Sequence, residues 1–107
     1  MEDTFKKIET IIKVNKCVLF IKGTLNTPKS KASQKLADIL APYNYHNIRS
    51  YNVLEDDKVR QWVKFYSKWP AFPQVYIEGT FIGGIDVVTG LIKENKFDDI
   101  MPEICKH

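Results

Sequence analysis

Apolar residues recur along this chain at periods that switch between helical and extended. Phe5, Ile8, Ile11 and Ile12 share one face of a helix that ends near Asn15. Cys17 to Ile21 then reads Cys-Val-Leu-Phe-Ile, an unbroken run short enough for a strand buried on both faces. Gly23 to Pro28 has the glycine, threonine, asparagine and proline content of a loop, and Pro28 is expected in the first turn of the next helix, where no amide hydrogen is needed. Ala32, Leu36, Ile39 and Leu40 give that helix its apolar stripe, and Pro42 stops it.

The second half follows the same logic. Ile48, Tyr51 and Val53 make a less regular strand, and the acidic run Glu55-Asp56-Asp57 favours the positive start of a helix that carries Val59, Trp62, Val63 and Tyr66 to about Ser67. Trp69 to Pro73 is too rich in proline to be helical. Gln74 to Ile77 and Thr80 to Ile82 flank Glu78-Gly79, a hairpin pattern. After Gly83-Gly84, Val87, Val88, Leu91 and Ile92 fit a helix with Asp86 as its expected cap, and a short helix near Phe97 to Met101 finishes the order. Two strands joined through a helix should be parallel and right-handed, and the hairpin pair antiparallel. The expected class is therefore α/β, a mixed four-stranded sheet flanked by helices in the layout of a thioredoxin-like fold. With 107 residues, 44% of them hydrophobic, and neither repeat nor linker, residues 1–107 read as one domain around one core.

Charge and cysteine usage narrow the class. The 16 basic and 13 acidic side chains are interspersed, so the net +3 makes no basic face for nucleic acid. No apolar run is long enough for a membrane span, and Met1-Glu2-Asp3 has no secretory character. An intracellular chain is expected, cytoplasmic or organellar after loss of a targeting segment. Cys17 and Cys105 stand at opposite ends in unrelated contexts, suggesting neither a disulfide framework nor a metal cluster, and Cys17 reads as a small core residue.

The chemistry belongs at the strand-loop-helix junction around Pro28-Lys29-Ser30-Lys31-Ala32-Ser33, where helix amides and the positive end of the helix face a ligand. A cysteine in the first turn would be a ready thiolate. Ser30 holds that place, and an alcohol in the same field gains far too little acidity. Neither His46, beyond the next loop, nor the terminal His107 is positioned as its base, so the bland reading is that Ser30 or Ser33 caps the helix.

The runs "VLFIKGT", "WPAFPQVYI" and "GTFIGGID" resemble the monothiol glutaredoxins, and the resemblance extends from the opening helix to about Met101. That family's tetrad is Cys-Gly-Phe-Ser; here it reads Ser30-Lys31-Ala32-Ser33. The resemblance implies a cis bond before Pro73 and glutathione held by Lys22, Arg60, Phe72, Ile85 and Asp86. It further implies redox homeostasis and carriage of a 2Fe-2S cluster, which the family shares between two protomers through its cysteine and glutathione. Ser30 stands at the position of the catalytic and cluster-ligating cysteine, whether by divergence or by deliberate exchange, so no catalytic residue is assigned. Without the thiolate the chain is expected to carry no cluster, to stay monomeric and to be inactive in thiol-disulfide exchange. Its expected partners are glutathione and proteins of iron-sulfur biogenesis, with no nucleic acid and no membrane. Read without the family, Arg60 would pair with Asp56 or Asp57, and Asp86 would simply cap. A cysteine-less glutathione- or protein-binding module is the alternative function.

Overall fold

A computed structural model describes residues 2–106. The elements run α1 (Glu2–Val14), β1 (Cys17–Ile21), α2 (Lys31–Leu40), β2 (Arg49–Asn52), α3 (Asp57–Ser67), β3 (Gln74–Ile77), β4 (Thr80–Gly83), α4 (Ile85–Lys93) and α5 (Phe97–Ile100), with single 3-10 turns at Tyr45–Asn47 and Glu103–Cys105. The strands form one sheet in the order β2-β1-β3-β4. β1 pairs parallel with β2 and antiparallel with β3, and β3 pairs antiparallel with β4. Glu78 and Gly79 make the hairpin turn with φ of 50° and 82°, the left-handed pair that matches the twist of the flanking strands.

Strand alternation divides the core in two. Cys17, Leu19 and Ile21 of β1 and Val75 and Ile77 of β3 point to the side covered by Leu36 and Leu40 of α2, Val88 of α4, Phe97 and Met101. Val18, Phe20 and Tyr76 point the other way, onto Ile8 and Ile12 of α1 and Val59 and Val63 of α3. All five β1 residues are buried, as a central strand between helical layers requires. Among the described residues no helix is long and apolar enough to cross a membrane.

Three local expectations need correction. Pro28 does not start α2; it bridges back to Gly23, and the helix begins three residues later at Lys31. Ser33, rather than Ala32, occupies the buried face of the first turn of α2, because its hydroxyl finds partners there. Asp86 is not a cap: it lies in the first turn of α4, whose N-cap is Gly84 and makes no side-chain bond.

Candidate functional site

The strand register gathers most of the sequence-predicted site residues at one end of the sheet. Phe20 lies opposite Gln74, so Lys22, just past β1, continues level with Phe72, just before β3. The Phe72–Pro73 peptide bond is cis, as the resemblance implied. Val75 lies opposite Gly83, which brings the start of α4 to the same end. A Cβ added at Gly84 would come 3.3 Å from the Pro73 carbonyl oxygen and 3.1 Å from Trp69 Nε1, so these three segments meet closely and a larger residue would press on both neighbours. The parallel pair β1 and β2 also ends here, and ligands of open α/β sheets bind beyond such carboxyl ends.

Ser30 is the N-cap of α2. Its Oγ accepts the Ser33 amide at 3.1 Å and donates to Ser33 Oγ at 2.9 Å. Ser33 Oγ in turn accepts the Lys22 amide at 3.2 Å, tying the end of β1 to the helix start. The Lys29 amide donates to the Lys22 carbonyl at 2.8 Å and closes the intervening loop. Gly23 has φ of 91°, and a Cβ there would come 2.5 Å from the Thr27 carbonyl oxygen, so this closed loop needs a glycine. Asn52 completes the junction, its Oδ1 accepting the Gly23 amide at 2.9 Å and the Leu54 amide at 3.0 Å. The first turn of α2 holds no acidic side chain, while Lys22, Lys29, Lys31 and Lys35 surround it in sequence, so nothing there opposes an anion.

Arg60 lies in the first turn of α3. The ion pair expected with Asp56 or Asp57 does not form among the described residues. Asp56 caps the helix instead, accepting the Lys58 and Val59 amides at 3.0 and 3.2 Å. Arg60 Nε is buried with no hydrogen-bond partner, an orphan donor of the kind that calls for one. At α4, Ile85 and exposed Asp86 open a helix without a side-chain cap, so its first amides have no partner inside the helix. Phe72 is buried, leaving its backbone as the part available to a ligand.

Three contributors were not singled out from sequence as supports: Ser33, Asn52 and Gln74. Fully buried Gln74 donates its amide to the Trp69 and Ala71 carbonyls at 3.0 and 3.3 Å, fixing the proline-rich loop, and its Oε1 accepts the Tyr76 hydroxyl at 3.3 Å. A polar residue inside an apolar strand run is the signal that marks it.

The remaining titratable candidates lie elsewhere. His46 is exposed in the turn before β2, at the opposite end of the sheet from Lys22, and His107 lies outside the described residues. Cys17 and Cys105, distant in sequence, are neighbours in space, each sulfur close enough to act on the other, and Cys105 Sγ donates to the Asn47 carbonyl at 3.4 Å. Burial first, then the Cys105 sulfur, pushes the Cys17 thiol up to about 12, and burial raises Cys105 as well. Neither is a nucleophile where it stands.

A mixed sheet in this order, with a helix N-terminus beyond its central strand and a cis-proline opening the neighbouring one, defines a protein of the thioredoxin-like fold. The sequence profile of the Glutaredoxin family matches residues 17–82, and the chain belongs to that family. It is 37% identical over 103 residues to monothiol glutaredoxin-5, mitochondrial, of Schizosaccharomyces pombe, a match spanning 94% of this chain and 70% of that protein. It is 35% identical over 102 residues to glutaredoxin 3 of Danio rerio, spanning 95% of this chain and 31% of that one, so the chain has about a third of that relative's length. The solution structure of a monomeric truncated mutant of Trypanosoma brucei 1-C-Grx1 superposes with a TM-score of 0.78 at 33% identity, covering 89% of this chain and 86% of the other. Its place within the family is thus among the monothiol glutaredoxins.

Proposed function

We propose that this chain is a monothiol-glutaredoxin domain that binds reduced glutathione without reacting with it. The observation that carries the reading is Ser30, whose hydroxyl sits at the N-terminus of α2, engaged with Ser33 on both its donor and acceptor sides. The family binds a tripeptide bearing two carboxylates, and the chain offers complementary groups. Lys22 and the unpaired Arg60 suit the glycyl carboxylate, the Phe72 backbone suits the peptide, the α4 amides at Ile85 and Asp86 suit the γ-glutamyl carboxylate, and the Asp86 side chain suits its amine. None of these contacts uses sulfur.

The donor set does not fit an iron-sulfur cluster. Such clusters take deprotonated thiolates, whereas Ser30 offers a hard oxygen that keeps its proton, and both thiols are buried in the core. Among the described residues no group of three or more histidine, cysteine, aspartate and glutamate side chains is placed to hold a metal. The same oxygen cannot begin thiol-disulfide exchange, so the domain acts as a glutathione-binding module rather than an oxidoreductase.

Titration of the labelled chain with reduced glutathione tests the reading. Amide shifts at Gly84 to Asp86 and at Lys22 that saturate in the millimolar range or below support it; an unchanged spectrum at millimolar glutathione ends it. Anaerobic reconstitution with iron, sulfide and glutathione tests the second half. The chain should stay colourless and monomeric while Ser30→Cys takes up a visible chromophore, and equal uptake by both would show that the serine is not what disables the site.

A further inference from the structure

The outer face of α3 bears a feature that glutathione binding does not use. Val59 and Val63 bury the inner side of this helix, and Trp62 is held edge-on by Phe5 at 5.6 Å. Phe65 is 70% exposed, its ring set perpendicular to that of Trp62 at 5.3 Å. Trp69, 38% exposed, stands beyond the end of the helix with Pro70. Between them runs an open groove of about 920 Å³, floored by Trp62, Phe65, Trp69 and Pro70 and rimmed by Lys58, Lys64 and Lys68. Three aromatic rings along one open groove are a costly surface to leave wetted, and a patch of this kind marks a contact site.

The rim says what the contact is. Among the described residues none of the three lysines has an ion-pair partner, and Asp57 is the one acid on the lining. An apolar floor inside an unneutralised cationic rim complements a segment with bulky apolar side chains on one stripe and carboxylates on either side of it. The groove follows the axis of α3, whose eleven residues span about 16 Å, the length of three turns of a partner helix.

The geometry points to a protein-docking site on the outer face of α3, whose occupant is an amphipathic helix with acidic flanks supplied by another protein. Phe65 and Trp69 are its aromatic anchors, and Lys58, Lys64 and Lys68 steer the acidic segment and set its register. Trp69 is also a wall of the candidate glutathione cleft, since its indole lies against Gly84, so the docked helix reaches the edge of that cleft without entering it.

The test uses the full chain, isotopically labelled, and two synthetic peptides of about fourteen residues that share leucine and phenylalanine at helical spacing and differ in glutamate or lysine flanks. The glutamate peptide should shift the amides of residues 58–69 and the Trp69 indole saturably, and the lysine peptide should bind at least about tenfold more weakly. Phe65→Ala should weaken the glutamate peptide by about tenfold or more, and because the ring is exposed the variant keeps its dispersed spectrum. The double change Lys64→Glu with Lys68→Glu should invert the preference between the two peptides. No saturable shift, equal affinity for both peptides, or indifference to Phe65→Ala overturns the proposal. So do shifts that grow with protein concentration alone, which assign the groove to a second copy, and binding of anionic phosphatidylserine vesicles in place of the peptide, which assigns it to a membrane. None of these readouts uses glutathione, so the failure of glutathione binding leaves this test intact.

Discussion

The two ends of β1 hold chemically parallel pairs in opposite settings. Beyond its carboxyl end, Ser30 and Ser33 share a hydrogen bond at the start of α2, in a field of helix amides and lysines that favours negative charge. At its amino end, Cys17 and Cys105 lie side by side inside the core, where burial opposes negative charge. The place that would activate a nucleophile holds oxygen, and the place that silences one holds sulfur. Reactivity is a product of atom and field, so two cysteines and an activating helix terminus leave this chain without a reactive thiolate.

Moving sulfur to the activating end is the strongest way to break this contrast. Ser30→Cys should react with a disulfide reagent at neutral pH at least about 100-fold faster than the native thiols, which are reached only through opening of the core. Comparable rates for the variant and the parent would mean that the helix start provides no activation.

A second effect is expected in alkali. The Cys17 thiol keeps its proton to about 12 in the fold, against 9.0 for an ordinary cysteine, and burial likewise raises Tyr76 from 10.0 to about 12. Above about pH 9 the unfolded chain therefore binds fewer protons than the folded one. Stability present below that pH should be lost progressively as it rises toward 12. Urea midpoints measured from pH 8 upward should fall, and the fall should be shallower in Cys17→Ala; a flat profile would contradict the buried thiol.

Smaller losses should separate the two serines. Ser33→Ala strands the Lys22 amide and the Ser30 hydroxyl, and should cost about 1–3 kcal/mol in urea unfolding. Ser30→Ala removes the cap and one bond to Ser33 Oγ but leaves the Lys22 amide paired, and should cost about 1 kcal/mol. A larger loss at Ser30 than at Ser33 would reverse their assigned roles.

The fold was largely legible because its signals are local. The bounds of β1, the hairpin turn and the end of α3 follow from periodicity and from glycine and proline, which act over a few residues. What escaped was decided by tertiary contact. Pro28 looked like the start of a helix, yet its bridge to Gly23 holds it in the loop. Asp86 looked like a cap, but Gly84, packed tightly against Pro73, takes that place and α4 starts two residues earlier. Arg60 looked paired with its acidic neighbours until Asp56 turned to the helix amides. The meeting of Cys17 with Cys105 spans nearly the whole chain, and no local pattern encodes it. The residues of the candidate cleft were nameable through family motifs, whereas the hydrogen bonds of Ser33, Asn52 and Gln74 that support it were visible only in the fold.

The closed loop after β1 carries a consequence for engineering. The bond from the Lys29 amide to the Lys22 carbonyl and the bridge from Gly23 to Pro28 clasp the loop at its base, and the Thr24 and Thr27 backbones bond across it. Its tip at Asn26 is exposed and is thereby insulated from the junction it joins. Extra residues spliced in at Asn26 lengthen a loop that is already pinned at its root, and each doubling of that length costs only about 0.6 kcal/mol in closure entropy. The tip is therefore a graft point. A reporter or recognition peptide can be installed a few residues from the cleft while the clasp keeps Lys22 and Ser30 in register.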